Sequence, residues 1–175
     1  MVQSIKTNLE VVEAMLFFWQ STSERQKVSE KYLTDIANME GLTITYDDEF
    51  DAESVRKVLS AVTNRELLSS KNKKESKFWN NNLWMMEDLE YTNSMVQPIK
   101  KLNLEDLVDK IDSDKYEELE VIFAPLHKQE YVIKDNKLVI NFFRVRPSFT
   151  DDNTYIGEIE IKEYIEEKLK ELVSR

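Results

Sequence analysis

A chain of 175 residues with 41% hydrophobic and 10% aromatic content can bury a core, since a domain near this size removes roughly 70% of its unfolded surface from water. It contains no cysteine, which excludes disulfides, thiolate metal sites, iron–sulfur clusters and a cysteine nucleophile. Its net charge of −10 repels nucleic acid and anionic membranes at long range.

The N-terminal residues MVQSIKTNLEVVEAM lack a basic stretch followed by an apolar run, so no signal peptide is expected. Val2, Ile5, Leu9, Val12, Leu16 and Trp19 step by three and four, which predicts one long helix from the start of the chain. Met15-Leu16-Phe17-Phe18-Trp19 places apolar residues all round one turn of it. Successive residues are about 100° apart, so that turn is expected to be buried on every side, in a core or against a second copy of the chain. Ser23 with Gln26 has the form of a capping box and predicts the start of a second helix, striped by Val28, Tyr32, Ile36 and Met39. Gly41 then stands where a left-handed helix terminus is wanted.

Leu42 to Tyr46 alternates and is β-branched, which predicts a short strand. Asp51 is an expected N-cap for a helix carrying Val55, Val58, Leu59 and Val62. Asn72 with Glu75 caps the next, which runs past Phe78, Trp79, Leu83, Met86 and Leu89 and stops before Pro98. Asn103, with Leu102 and Leu107 as a hydrophobic staple, opens a short helix to Ile111. From Leu119 the period changes. Leu119 to Ala124 is an apolar run closed by Pro125. Tyr131 to Ile133 and Leu138 to Ile140 flank Asp135-Asn136, a two-residue hairpin turn that pairs Ile133 with Leu138 and Tyr131 with Ile140. Leu138 to Val145 is nearly continuous in apolar content and predicts a central strand covered on both faces. Tyr155 to Ile161 alternates as a further strand, and Tyr164, Ile165, Leu169 and Leu172 stripe a final helix.

The expected fold is α+β. A helical N-terminal half, to about residue 112, packs with a mostly antiparallel sheet of about four strands and a C-terminal helix, about 116–175. Neither half buries its faces alone, so a single domain over 1–175 is expected. No apolar run reaches the length of a membrane span, about 18 residues or more, and a cytoplasmic address is expected.

Four features bear on chemistry. His127, the one histidine, lies in Pro125-Leu126-His127-Lys128-Gln129 without a neighbouring nucleophile or orienting group, and reads as a solvated turn residue. Asp47 to Glu53 (DDEFDAE) groups carboxylates that a hard cation would use, but the spacing is not that of an EF-hand and Asp51 has a capping role, so a solvated cap is expected. Lys71, Lys73, Lys74 and Lys77 with Phe78 and Trp79 combine phosphate-binding charge with aromatics that could stack a base, against the sign of the whole chain. Arg144 and Arg146 share one face of the predicted strand and form a candidate anion clamp or strand cap. There is no Walker loop, dinucleotide fingerprint, nucleophile elbow or zinc-protease helix. No residue is therefore assigned a catalytic, cofactor-binding or metal-ligating role. The leading expectation is a non-catalytic interaction or regulatory protein with a protein partner or a second copy. An Asp/Glu-based enzyme with a divalent ion near Asp47–Glu53 comes second, and a phosphate or nucleic-acid binder at the lysine run third.

Overall fold

A computed structural model describes residues 1–175. About 50% of them are helical and 18% lie in strands, arranged as helices around a mixed four-stranded sheet with a C-terminal helix, an α+β protein.

The chain opens with a strand, β1 (Ser4–Asn8), not a helix. It lies parallel to β2 (Glu118–Ala124), with Ile5 opposite Leu119 and Asn8 opposite Ile122. Spacing over Val2, Ile5 and Leu9 cannot tell a helix from a strand in so short a stretch. The pairing needs of β2 decide, because a buried strand must satisfy its backbone groups on both edges. The helix α1 (Glu10–Ser23) follows at once, with Asn8 Oδ1 accepting from the Glu10 N–H. Val11, Val12, Met15, Phe18 and Trp19 are buried, whereas Phe17 is 55% exposed with its ring resting 5.1 Å from that of Tyr32. The all-round burial expected of this turn therefore fails at Phe17: α1 lies at the surface of the helical layer, with one side toward solvent.

The cap of α2 (Glu30–Ala37) is Ser29, not Ser23. Gly41 does not end a helix in the left-handed region. It lies in the single turn α3 (Glu40–Thr43), where an added Cβ would sit 2.9 Å from both Val11 Cγ2 and Ile122 Cγ2. Glycine is needed there for close approach between α3, α1 and the sheet. The strand expected at Leu42–Tyr46 is replaced by that turn and the bend after it. Asp51 caps α4 (Ala52–Thr63) in a capping box with Ser54. Asn72 caps α5 (Lys73–Glu87) as expected, accepting from the Lys74 and Glu75 N–H groups. The Glu75 carboxylate turns away to Lys57 (2.7 Å) and Ser70 (2.6 Å). Asp88 interrupts the long helix and caps α6 (Leu89–Lys100), which holds Pro98 within its final turn. One backbone bond is forgone there, close to where the helix ends anyway. The short helix after Asn103 is a 3-10 turn, Glu105–Lys110, beside β1.

In the four-stranded sheet the order is β1-β2-β4-β3, with β3 at Tyr131–Lys134 and β4 at Lys137–Asn141. The β1–β2 and β2–β4 ladders are parallel and β3–β4 is antiparallel. The hairpin keeps the expected register, Ile133 with Leu138 and Tyr131 with Ile140. Only Asp135 takes positive φ in its turn (53°), so Asn136 does not need the left-handed conformation and instead donates from Nδ2 to the Glu118 carbonyl.

The continuous strand expected from Leu138 to Val145 is broken. β4 stops at Asn141, a 3-10 turn covers Phe142–Arg144, and β5 (Val145–Pro147) belongs to a second sheet with β6 (Thr154–Ile156) and β7 (Ile159–Glu160). Tyr155–Ile161 is thus a hairpin folded at Gly157 (φ 64°), leading into α7 (Ile161–Val173). A contiguous cluster of 43 buried apolar residues draws on both halves of the chain. No helix is long and apolar enough to cross a membrane.

Candidate anion-binding site

The parallel strands β2 and β4 end in register, Ala124 opposite Asn141. Ligands in sheets with parallel strands favour the crevice beyond the carboxyl ends of the strands, and here two segments leave that edge side by side: Pro125–Gln129 after β2 and Phe142–Arg144 after β4. Asn141, buried, holds them together. Its Oδ1 accepts from the Leu126 N–H (3.2 Å) and the Phe143 N–H (3.1 Å). Its Nδ2 donates to the carbonyls of Gln129 (2.8 Å) and His127 (3.4 Å). In the sequence, Asn141 interrupts an otherwise apolar run, the one local mark of this junction, although the run is expected there as a continuous strand.

The third wall comes from α5. Trp19 Nε1 donates to Asn82 Oδ1 (2.9 Å), and Asn82 Nδ2 donates to the Phe78 carbonyl (2.8 Å), which fixes α5 against α1. Lys77 and Asn81, one turn apart on α5, then face the two segments. The resulting pocket encloses about 430 Å³ and is lined by Lys77, Asn81, His127, Lys128, Asn141, Phe143 and Arg144. Three of these carry fixed positive charge and none carries negative charge. Lys77, Lys128 and Arg144 each lack a carboxylate within 4.0 Å and make no side-chain hydrogen bond within the protein.

His127 is 3% exposed and packs its ring 4.6 Å from that of Phe50, so it is not a solvated turn residue. The loop that carries it is pulled down onto the sheet by Asn141. Its Nδ1 accepts from the Lys128 N–H (2.7 Å), which leaves the neutral ring with its proton on Nε2. That Nε2 is buried and has no hydrogen-bond partner; the nearest carboxylate oxygen, Asp47 Oδ2, is 4.0 Å away. Burial lowers the imidazole pKa below its ordinary 6.5, and Asp47 opposes the shift without overcoming it.

The acidic segment beside His127 is spent internally. Asp47 Oδ1 accepts from the N–H groups of Glu49 and Phe50 (2.9 Å each), and its Oδ2 pairs with Lys74 (2.8 Å). Glu49 also reaches Lys74 (3.2 Å), Asp51 caps α4, and Glu53 pairs with Arg56. Partial burial pushes the Asp47 carboxyl up, but the bonds from Lys74, Glu49 and Phe50 outweigh it and hold the group below the usual range. These side chains do not converge, and nowhere do three His, Asp or Glu residues group as they would around an ion.

The lysine run is divided. Lys74 is committed to Asp47 and Glu49, Lys77 faces the pocket, and Phe78 is fully buried, so it offers no stacking face. The two arginines also part. Arg144 lines the pocket, while Arg146 lies 4.8 Å over the Tyr155 ring and donates from Nε to the Gly157 carbonyl (3.1 Å). The 3-10 turn between β4 and β5 removes the alternation that would have set them on one face. Sequence reasoning passed over Asn81, Lys128, Asn141 and Phe143 in the pocket wall. A larger depression of about 490 Å³ beside β1 includes Lys6, Asn8, Glu10, Glu13, Glu118 and Glu120. Several of its polar groups are partnered, Lys6 with Glu118 (3.0 Å) and Asn8 with Glu120 (2.8 Å).

No family model matches this chain, and neither the curated proteins nor the solved structures yield a match.

Proposed function

We propose that this protein is a non-catalytic binder of a small anion, seated between α5 and the segments that follow β2 and β4. The observation that carries the reading is the set of three unpartnered cations around one cavity in a chain of net charge −10. Acids outnumber bases by 34 to 24, yet these three cations, all solvent-exposed, gather around one depression with no carboxylate in its lining, which supports an anionic ligand. The volume lies within the roughly 300–1,000 Å³ of small-molecule sites. Of the groups able to act as nucleophile or base, the wall holds only the two lysines and the buried His127, with no hydroxyl, carboxylate or thiolate beside them, which supports binding over turnover. A polymer of phosphates meets the repulsive field of the whole molecule, whereas a small anion meets chiefly the local one.

The test is thermal unfolding in phosphate, citrate or chloride at matched ionic strength. An anion at one hundred times its dissociation constant adds about 2.7 kcal/mol, equivalent to a Tm rise of roughly 5–11 °C for a chain of this size. The rise should vanish in Arg144→Gln combined with Lys128→Gln. Equal Tm values in all three salts, or a rise that survives the double substitution, would remove the anion from this pocket.

A further inference from the structure

We infer that the ligand is a phosphomonoester of a small organic molecule, its phosphate among Lys77, Lys128 and Arg144 and its carbon body against Phe143. This rests on the anion-site reading above and narrows it by charge, shape and volume.

Charge comes first. Three cations and no anion line the wall. A single carboxylate would neutralise one of them, whereas a phosphomonoester carries about −1.5 to −2 at pH 7. The donor set points the same way. The two ammonium groups and the guanidinium bring donors only, the Asn81 amide brings a donor beside one acceptor, and the Asn141 side-chain oxygen is already occupied by two backbone N–H groups. Such a wall, in which donors predominate, fits a group rich in acceptors. The three cations come from three segments: helix α5, the loop after β2 and the turn after β4. Three terminal phosphate oxygens can each face one of them, while a planar carboxylate offers two oxygens in one plane.

Volume and lining then extend the ligand beyond inorganic phosphate. A water takes about 30 Å³ of liquid volume, and inorganic phosphate displaces only a few waters, far less than the 430 Å³ available. The remaining space has one apolar wall, Phe143. Its ring lies 6.4 Å from each of Trp19, Phe78 and Phe142 and is held in place by that cluster. A rigid aromatic face beside a cationic one suits a ligand with one phosphate and one carbon body.

Calorimetric titration of the full chain with phenyl phosphate, inorganic phosphate and phthalate at fixed ionic strength tests this. Phenyl phosphate should bind at least tenfold more tightly than either of the others. Arg144→Gln should weaken phenyl phosphate and inorganic phosphate at least tenfold each. Phe143→Leu should erase the advantage of phenyl phosphate while leaving inorganic phosphate unchanged. Phthalate binding as tightly as phenyl phosphate would overturn the phosphate assignment, and inorganic phosphate binding as tightly would overturn the carbon body; either result leaves an anion site standing. Absence of binding by all three, with Arg144→Gln indistinguishable from the parent, would remove the anion site itself.

Discussion

Two charged regions adjoin the His127 ring, and they differ in where their charges end. In the loop from Asp47 to Asp51, Asp47 is bonded to two backbone N–H groups and to Lys74, Glu49 to Lys74, and Asp51 to the first turn of α4. In the pocket, Lys77, Lys128 and Arg144 find no such partners. The acidic loop has the higher density of charge in the sequence and is structural. The pocket draws its charge from three separated segments, and the fold leaves that charge unpaired. Density of like charge along the chain therefore does not decide which charges the fold leaves unpaired.

The comparison implies that removing a polar group from the framework costs stability, while removing a charge from the pocket does not. The largest effect is expected at Asn141, which joins both segments of the pocket to the sheet end. Asn141→Ala strands two donors and two acceptors in a buried place, at about 1–3 kcal/mol for each group left unsatisfied. Urea unfolding should show a loss of about 3 kcal/mol or more. A loss under about 1 kcal/mol would mean that the pocket walls are held by other contacts.

A smaller effect is expected in the acidic loop. Asp51→Ala removes the cap of α4 and should cost about 1 kcal/mol. Lys128→Gln, the matching change in the pocket, should stay within about 0.5 kcal/mol of the parent. Relief of repulsion among Lys77, Lys128 and Arg144 gives it a stabilising tendency. If Lys128→Gln costs as much as Asp51→Ala in the same denaturant series, the contrast between the two regions is lost.

The smallest effect concerns protons. The folded value of His127 lies below 6.5, mainly because the ring is buried; Asp47 and Glu49 oppose this, and Lys74 and Lys128 add to it. Between the folded and unfolded values the unfolded chain holds more protons, so stability rises with pH across that window. Acidification from pH 7 through 6.5 should weaken the protein, and His127→Gln should flatten that slope. The carboxyls of Asp47 and Glu75 are held low in the fold. Their contribution is present above the usual carboxylate range and fades only as pH falls below it, so the two windows are separable in a pH series of unfolding midpoints. A slope between pH 7 and 6 unchanged in His127→Gln would show that the ring does not titrate with folding.

Much of the architecture was legible because it rests on local chemistry. The caps at Asp51 and Asn72, the apolar run of β2, the hairpin register and the stripe of α7 follow from patterns within a few residues of each other. The pocket was less so. Lys77 and Arg144 were singled out for their charge, and His127 for being alone of its kind. Lys128, Asn81 and Phe143 carry no local mark that distinguishes them from any surface Lys, Asn or half-buried Phe.

By itself the sequence determined the α+β class, the sites of several caps and the absence of thiolate chemistry, since each depends on composition or on neighbours in the chain. Tertiary structure decided the rest. The Val2–Leu9 segment became a strand because β2 needed a parallel neighbour. Leu138–Val145 divided between two sheets because Asn141 caps a turn within it. His127 was buried because the same Asn141 draws its loop onto the sheet. These outcomes depend on hydrogen bonds and packing between residues up to a hundred or more positions apart, and local periodicity does not encode such contacts.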